Sequence, residues 1–383
     1  MPVNLLYIIQ NREFGGGERG FAQLINALPQ AEYRIHVASQ PHAAFCRSIH
    51  NGQVRFIPID FSKRVSPSTI FRLARIIREN DIQIVHGQGA RADFCGRIAK
   101  GVSGKAFYVS TVQMPVEGFE VSPLRRLIYR FFDRLSERFV DRFVVVSDAL
   151  MDQMTSNHRI PAGKVTKIYN GIEVEHFSPK GDEMDRLKIR EALHIDEEAM
   201  LIGAVGRLVW QKGFEFLIRS VPEILMVSPN AKILLIGDGP LGPKLKSMCE
   251  SMKLQGKVLF AGFRRDIRSL LSTMDIVVIP SIKEGFPMIT LEAMAMARPI
   301  VATRIDGIVE QIDDGLNGIL VPPEEVDALS SAIIRLLKDN YLARKMGEAA
   351  REKVVSRFSI DEMVSKTEGV YMDLLNQAPR GGN

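Results

Sequence analysis

MLIGAVGRLVWQKGFEFLIRSVPEILMVSPNAKILLIGDG, residues 200–239, decides the fold of this chain. It begins with an apolar run, MLIGAVGRL (200–208), and ends with another, AKILLIGDG (231–239). A helical pattern near 213–227 lies between them. Three further runs follow, KVLFAG (257–262), DIVVIPS (275–281) and RPIVAT (298–303), with helical patterns near 241–253, 265–273 and 288–297. Short apolar runs alternating with helices describe a parallel sheet covered on both faces.

The same alternation occupies the first half. NLLYIIQ (4–10), YRIHVAS (33–39), IQIVH (82–86) and RFVVVS (142–147) read as strands, among helices near 18–28, 68–80, 90–100 and 122–141. Two such series predict two doubly wound α/β domains. At 383 residues the chain is long enough for both, since domains run to ~100–200 residues. The turn signal Asn170-Gly171 marks the seam, giving a first domain over 1–170 and a second over 171–356. Residues 357–383 read as a last helix with a frayed end.

An apolar fraction of 46% and a charged fraction of 25% are those of a globular protein. No apolar run is long enough for a spanning helix, and the opening MPVNLLYIIQ reads as a strand, not a signal peptide. The three cysteines, Cys46, Cys95 and Cys249, are scattered, which fits a reducing cytoplasm and argues against a disulfide framework. The net charge of +5 is unevenly spread: residues 1–170 carry 23 basic against 14 acidic side chains. A basic first half suits an anionic partner such as a phosphate or a membrane surface. No RNA-binding aromatic signature accompanies it, so nucleic acid is not an expected partner.

Gly15-Gly16-Gly17-Glu18-Arg19-Gly20 follows the first strand and opens a helix. Glycines there let backbone approach a phosphate at a helix N-terminus, and they equally serve a tight turn. A dinucleotide site would also need an acid about 20 residues on. The second strand ends instead at Ser39-Gln40-Pro41, so NAD binding is not expected.

In the second half three strand ends carry chemistry. Arg207, with Lys212 in the following loop, can grip a phosphate. Ile236-Gly237-Asp238-Gly239-Pro240 closes a strand with a turn. Pro280 ends another strand, and the loop to Pro287 holds Glu284. Pro287 is expected near the first turn of a helix whose free amides at Met288, Ile289 and Thr290 suit a diphosphate. Glu292 is either an acceptor for a ribose diol or a surface helix residue.

The Glu284/Glu292 pair with Gly285-Phe286-Pro287 between them, Gly206-Arg207-Leu208 before Gln211-Lys212-Gly213, and the IGDGP turn resemble the retaining GT-B glycosyltransferases of family 4. Pro299–Thr303 and Gly315–Pro322 share the likeness, which covers nearly the whole chain. The resemblance implies the GT-B fold, two Rossmann-like domains facing a central cleft. It implies transfer with retention from a nucleotide diphosphate sugar to a glycan or lipid-linked acceptor in cell-surface polysaccharide or lipopolysaccharide synthesis. Arg207 and Lys212 would stabilise the leaving diphosphate, Glu284 would contact the sugar and Glu292 the ribose. Gly16 and Gly17 would bring backbone to the diphosphate or acceptor. Gly262, Phe263 and Arg264 would lie near the base. No metal or other cofactor is implied, since two cations and a helix N-terminus can do a metal's work.

Members of this family often carry histidines where this chain has Gln88, after His86-Gly87, and Gln113, after Ser110-Thr111-Val112. Glutamine binds hydroxyls but exchanges no proton near neutral pH. These three residues, His86, Gln88 and Gln113, are the expected acceptor side. The alternatives are an epimerase of the same fold, which would need acid–base side chains at the sugar, or a non-enzymatic nucleotide-binding protein. Finally, Arg126, Arg130, Arg134, Arg138 and Arg142 recur every four residues beyond Ser122-Pro123. They form either a salt-bridged solvated face or a patch for peripheral contact with the inner face of an anionic membrane.

Overall fold

The computed structural model describes residues 2–10, 15–40, 44–61, 66–114, 133–179 and 183–377. The chain forms two compact units: Met1–Gly171 with Ile360–Asn383, and Ile172–Ser359.

In the first unit the strands are β1 (Val3–Ile9), β2 (Tyr33–Ser39), β3 (Arg55–Pro58), β4 (Ile84–Gln88), β5 (Phe107–Val112), β6 (Arg142–Val145) and β7 (Val165–Lys167). They form one parallel sheet in the order β3-β2-β1-β4-β5-β6-β7. The sequence order reverses between β1 and β4. In open α/β sheets ligands bind outside the carboxyl ends of the strands at this reversal. Two segments end there: β1 runs into α1 (Gly16–Ala27), and β4 runs through Gly89 into α2 (Ala90–Ser103).

The second unit repeats the plan with β8 (Leu201–Val205), β9 (Lys232–Ile236), β10 (Val258–Gly262), β11 (Ile276–Ile279), β12 (Ile300–Thr303) and β13 (Ile319–Val321). Its parallel order is β10-β9-β8-β11-β12-β13, with the reversal between β8 and β11. The helix after β8 is α3 (Phe214–Val227), and the helix after β11 is α4 (Met288–Ala295). Every residue of α4 is buried. A helix buried on every side belongs inside a core, and the polar side chains it carries there, Thr290 and Glu292, are buried with it.

Continuous apolar strands build both cores, because sheets covered by helices bury both faces. The last helix, α5 (Ile360–Gln377), packs Met363, Val370, Tyr371 and Leu374 into the core of the first unit. Tyr371 also hydrogen-bonds Tyr7 of β1 at 2.7 Å. In the second unit Arg190 is only 1% exposed. It donates to the carbonyls of Asp196, Glu197, Ala199 and Thr273 and to Asp275, whose carboxylate also accepts the Leu201 amide at 2.7 Å. This knot ties the helix at Glu183–Ala192 to the start of β8 and the approach to β11.

The arginine-rich segment is only partly described. Arg126 and Arg130 lie outside the described residues, and residues 133–137 are helical. Arg134 donates to the Asn157 carbonyl at 2.7 Å, and Arg142 to that of Gly163 at 2.9 Å. Arg138 lies 4.8 Å from the Phe139 ring centroid. No described helix is long and apolar enough to cross a membrane.

Candidate active site

The carboxyl edge of the second sheet, at its reversal, gathers the charged residues expected from the sequence. Arg207 follows β8 and is exposed. The turn from Trp210 to Lys212 then brings Lys212 back across the strand end, so that its stem lies 3.3 Å from where a Cβ on Gly206 would sit. Gly213 closes this turn at φ 62°, a left-handed conformation that favours glycine. A Cβ there would lie 2.0 Å from the Pro280 carbonyl oxygen. The loops after β8 and β11 therefore touch backbone to backbone. The Ile282 amide donates to the Gln211 carbonyl at 2.7 Å and completes the seam.

This contact sets the central pair of the site. Lys212 Nζ donates to Glu284 Oε1 at 2.5 Å, and Ser281 Oγ donates to the same oxygen at 2.8 Å. The Glu284 side chain is 7% exposed and that of Lys212 is 23% exposed, so the ion pair is shielded on the carboxylate side. Thr303 on β12 in turn donates to the Ser281 carbonyl at 2.5 Å. Lys212, Ser281, Glu284 and Ile289 line one small hollow. Ser281 and Thr303 were not singled out from the sequence. A serine three residues before the loop carboxylate is the one local signal for the first; the second acts across strands and leaves no local trace.

Pro287 is the N-cap of α4, with Met288 its first helical residue. The Pro287 ring thus stands one position before the first turn, and the amides of Met288 and Ile289 open the helix. Gly285 is pressed against Gly307, where a Cβ would meet the Gly285 carbonyl oxygen at 1.8 Å. Phe286 is buried and packs edge-on against Phe358 at 5.4 Å between centroids, so it offers a ligand its backbone only. Glu292 is 2% exposed, which removes the surface-residue reading. The hydroxyl of Thr290 is buried with no hydrogen-bond partner in the protein.

At the far side of β8, Gly262 ends β10 at φ 65°. Asp238 Oδ2 accepts the Phe263 amide at 2.9 Å and holds this loop beside the IGDGP turn. Phe263 is 57% exposed. Arg264 is taken by Asp266 in a two-point pair, Nε to Oδ1 at 2.8 Å and a terminal nitrogen to Oδ2 at 2.5 Å. That pairing raises the guanidinium and lowers the Asp266 carboxyl from their ordinary values.

The first unit places its expected residues at its own reversal. His86 is 2% exposed, and both its nitrogens meet hydroxyls: Tyr371 at 2.5 Å and Thr111 at 2.6 Å. Burial pushes its pKa down to about 3, so the ring is neutral. His86 therefore belongs to a buried chain, Tyr7–Tyr371–His86–Thr111, that pins α5 to the sheet. Gln88 and Gln113 stand together at the edge, against Gly17. A Cβ on Gly17 would lie 3.1 Å from Gln88 Nε2 and 3.4 Å from Gln113 Cγ. Glu18 folds back so that its carboxylate accepts the Gly15 amide at 3.0 Å.

Known proteins match both halves. The model of the glycosyl transferases group 1 matches residues 185–353, and that of glycosyltransferase family 4 matches residues 14–176. An uncharacterized glycosyltransferase of Methanocaldococcus jannaschii is 33% identical over 230 residues, 60% of this chain and 59% of that protein's length. The UDP-Gal:α-D-GlcNAc-diphosphoundecaprenol α-1,3-galactosyltransferase of Escherichia coli is 24% identical over 94% of each chain. Among solved structures, Anabaena HepE in complex with UDP-glucose superposes with a TM-score of 0.85 at 21% identity, over 97% of this chain and 99% of that one, which establishes a shared fold. Two parallel doubly wound sheets, matched half by half, make this chain a member of the group 1, family 4 glycosyltransferases of GT-B fold.

Proposed function

We propose that the chain transfers a hexose, with retention of anomeric configuration, from a nucleotide diphosphate sugar to a glycan or lipid-linked acceptor in cell-surface polysaccharide or lipopolysaccharide synthesis. The Lys212–Glu284 pair at the reversal of the second sheet carries this reading. It sets a cation for the diphosphate beside a carboxylate for sugar hydroxyls. The E. coli relative named above uses UDP-galactose, and HepE was solved with UDP-glucose, which supports a UDP-linked donor.

The chemistry follows from charge. As the bond from sugar C1 to the phosphate oxygen breaks, negative charge grows on the diphosphate. Arg207, Lys212 and the first amides of α4 stabilise it, and preorganised donors of this kind each contribute ~10²–10³ in rate. The acceptor oxygen bonds C1 on the face the phosphate leaves, and its proton passes to the departing phosphate oxygen. No protein base is needed, which agrees with Gln88 and Gln113 at the first sheet's edge. Glu284 orients the sugar and Glu292 the ribose. The exposed Phe263 is free to stack on the base, with Gly262 and Arg264 shaping that loop. The cations and the helix N-terminus take the place of a metal. The basic surplus of residues 1–170 and the lipid-linked substrate of the E. coli relative support placing the reaction at the inner face of the membrane.

A nucleotide-sugar panel followed by NMR of the product tests the proposal. An α-linked donor should give an α-linked product in an acceptor-dependent reaction. A β-linked product refutes retention. Conversion of the nucleotide sugar without acceptor points to an epimerase.

A further inference from the structure

The loop that opens α4 is braced by one short helix, Asp306–Gln311, through two contacts. The first is at Gly307, onto which the Gly285 carbonyl is pressed. A Cβ on Gly307 would lie 1.8 Å from that oxygen and 2.7 Å from its carbon, so the C=O bond is aimed at the helix. The second is at the end of the same helix. There Gln311 Nε2 donates to the Pro287 carbonyl at 3.1 Å, and that carbonyl also accepts the Thr290 amide at 3.3 Å. A trans peptide points its N–H opposite to its C=O. Turning the Gly285 and Pro287 carbonyls toward the helix therefore turns the Phe286 and Met288 N–H groups away from it. The peptide between them ends in Pro287 and has no N–H. The two contacts thus set the direction of both amide donors in this stretch. Gln311 is 0% exposed, and its Oε1 has no hydrogen-bond partner among the described residues. A buried acceptor left unpaired is destabilising, so stability alone favours an apolar side chain here. The helix end is itself held by Asn317, 1% exposed, which donates through Nδ2 to the Gln311 carbonyl at 3.2 Å and accepts the Asp313 amide at 2.7 Å.

We propose that Gln311 is a positioning residue for sugar transfer: with Gly307 it turns two loop carbonyls inward and so aims the Phe286 and Met288 amides at the donor diphosphate. This rests on reading the chain as an enzyme that uses a nucleotide diphosphate sugar. Gln311 itself touches no substrate. The carboxamide is kept in the core, half its hydrogen-bonding capacity unused, because its N–H fixes the Pro287 peptide before charge develops on the diphosphate.

Calorimetric titration of the full chain with UDP, GDP, ADP and inorganic pyrophosphate tests it, beside melting curves of the unliganded proteins. Gln311→Met, of similar length without a donor, should bind the preferred nucleotide at least five-fold more weakly while its melting temperature holds or rises. A residue with a merely structural role would lose both together. Gln311→Glu is the rescue: its buried carboxyl keeps its proton at pH ~6 and can still donate to Pro287, so binding should return in part there and be lost at pH ~9. Gly307→Ala disturbs the same loop at its other contact and should also weaken binding; it serves if Gln311→Met does not fold. Equal nucleotide affinity in wild type, Gln311→Met and Gly307→Ala would overturn the proposal. So would a weakening in Gln311→Met that tracks a fall in melting temperature and that Gln311→Glu does not reverse. A wild type that binds none of the three nucleotides sinks the proposed function instead, and pyrophosphate then decides the positioning role: binding that Gln311→Met loses upholds it, and no binding by wild type overturns it.

Discussion

Replacing Gly213 by alanine isolates the backbone seam that sets the Lys212–Glu284 pair. At φ 62° alanine is in the left-handed region, which costs ~1–2 kcal/mol. Its Cβ would lie 2.0 Å from the Pro280 carbonyl oxygen, where contacts under 3.0 Å essentially never occur. The two loops must part by ~1 Å, and overpacking of this order costs a further ~1–3 kcal/mol. Gly213→Ala should therefore lose ~2–5 kcal/mol in urea denaturation. A displacement of ~1 Å beneath reacting groups lowers turnover by ~10²-fold. Gly256→Ala is the matched control: it has φ 70° with nothing within 4 Å of its Cβ. It should lose only the left-handed cost of ~1–2 kcal/mol and keep full activity. If both variants show the same stability and the same turnover, the seam does not position the site.

Other outcomes follow from other residues. Arg190→Met leaves Asp275 with only the half-buried Arg186 guanidinium, at 3.2 Å, and strips four carbonyls of a donor; it should cost ~1–3 kcal/mol by chemical denaturation. Glu284→Ala should reduce turnover ~10²-fold or more with little loss of Tm, measured by initial rates and a melting curve. His86 makes stability pH-dependent. Its folded pKa of about 3 lies below the ordinary histidine value of 6.5, so the unfolded chain binds the extra proton between these values. Stability is then full above pH 6.5 and falls as pH drops toward 3, with a slope of at most ~1.4 kcal/mol per pH unit from this group. His86→Gln should remove that share of the slope, as read by denaturant titrations at several pH values.

The strands that set both sheets were legible because they are buried on two faces and read as unbroken apolar runs: Leu5–Ile9 in β1, Ile233–Ile236 in β9. β3, β5, β7 and β13 were not; in β5 the polar Ser110 and Thr111 break the apolar run although both are buried. β3, β7 and β13 are edge strands of four, three and three residues, too short for an apolar run to stand out, and β3 is also largely exposed along its length. Lys212 and Glu284 are 72 residues apart, and motif spacing alone does not say that they touch. The strand ends did suggest that both face one edge. Burial of Glu292 escaped the sequence because an acid in an early helical turn also suits the helix dipole on a surface. The Tyr371–His86 contact spans 285 residues and has no local signature, so the packing of His86 emerges only from the fold.

Calorimetric titration of UDP-glucose into wild type and into Arg207→Ala and Lys212→Ala tests the central claim most directly. The account predicts saturable binding by wild type and at least ten-fold weaker binding by each variant, equivalent to ~1.4 kcal/mol or more, with melting temperatures retained. Equal affinity in all three proteins would contradict it and move the donor site away from the second sheet's carboxyl edge.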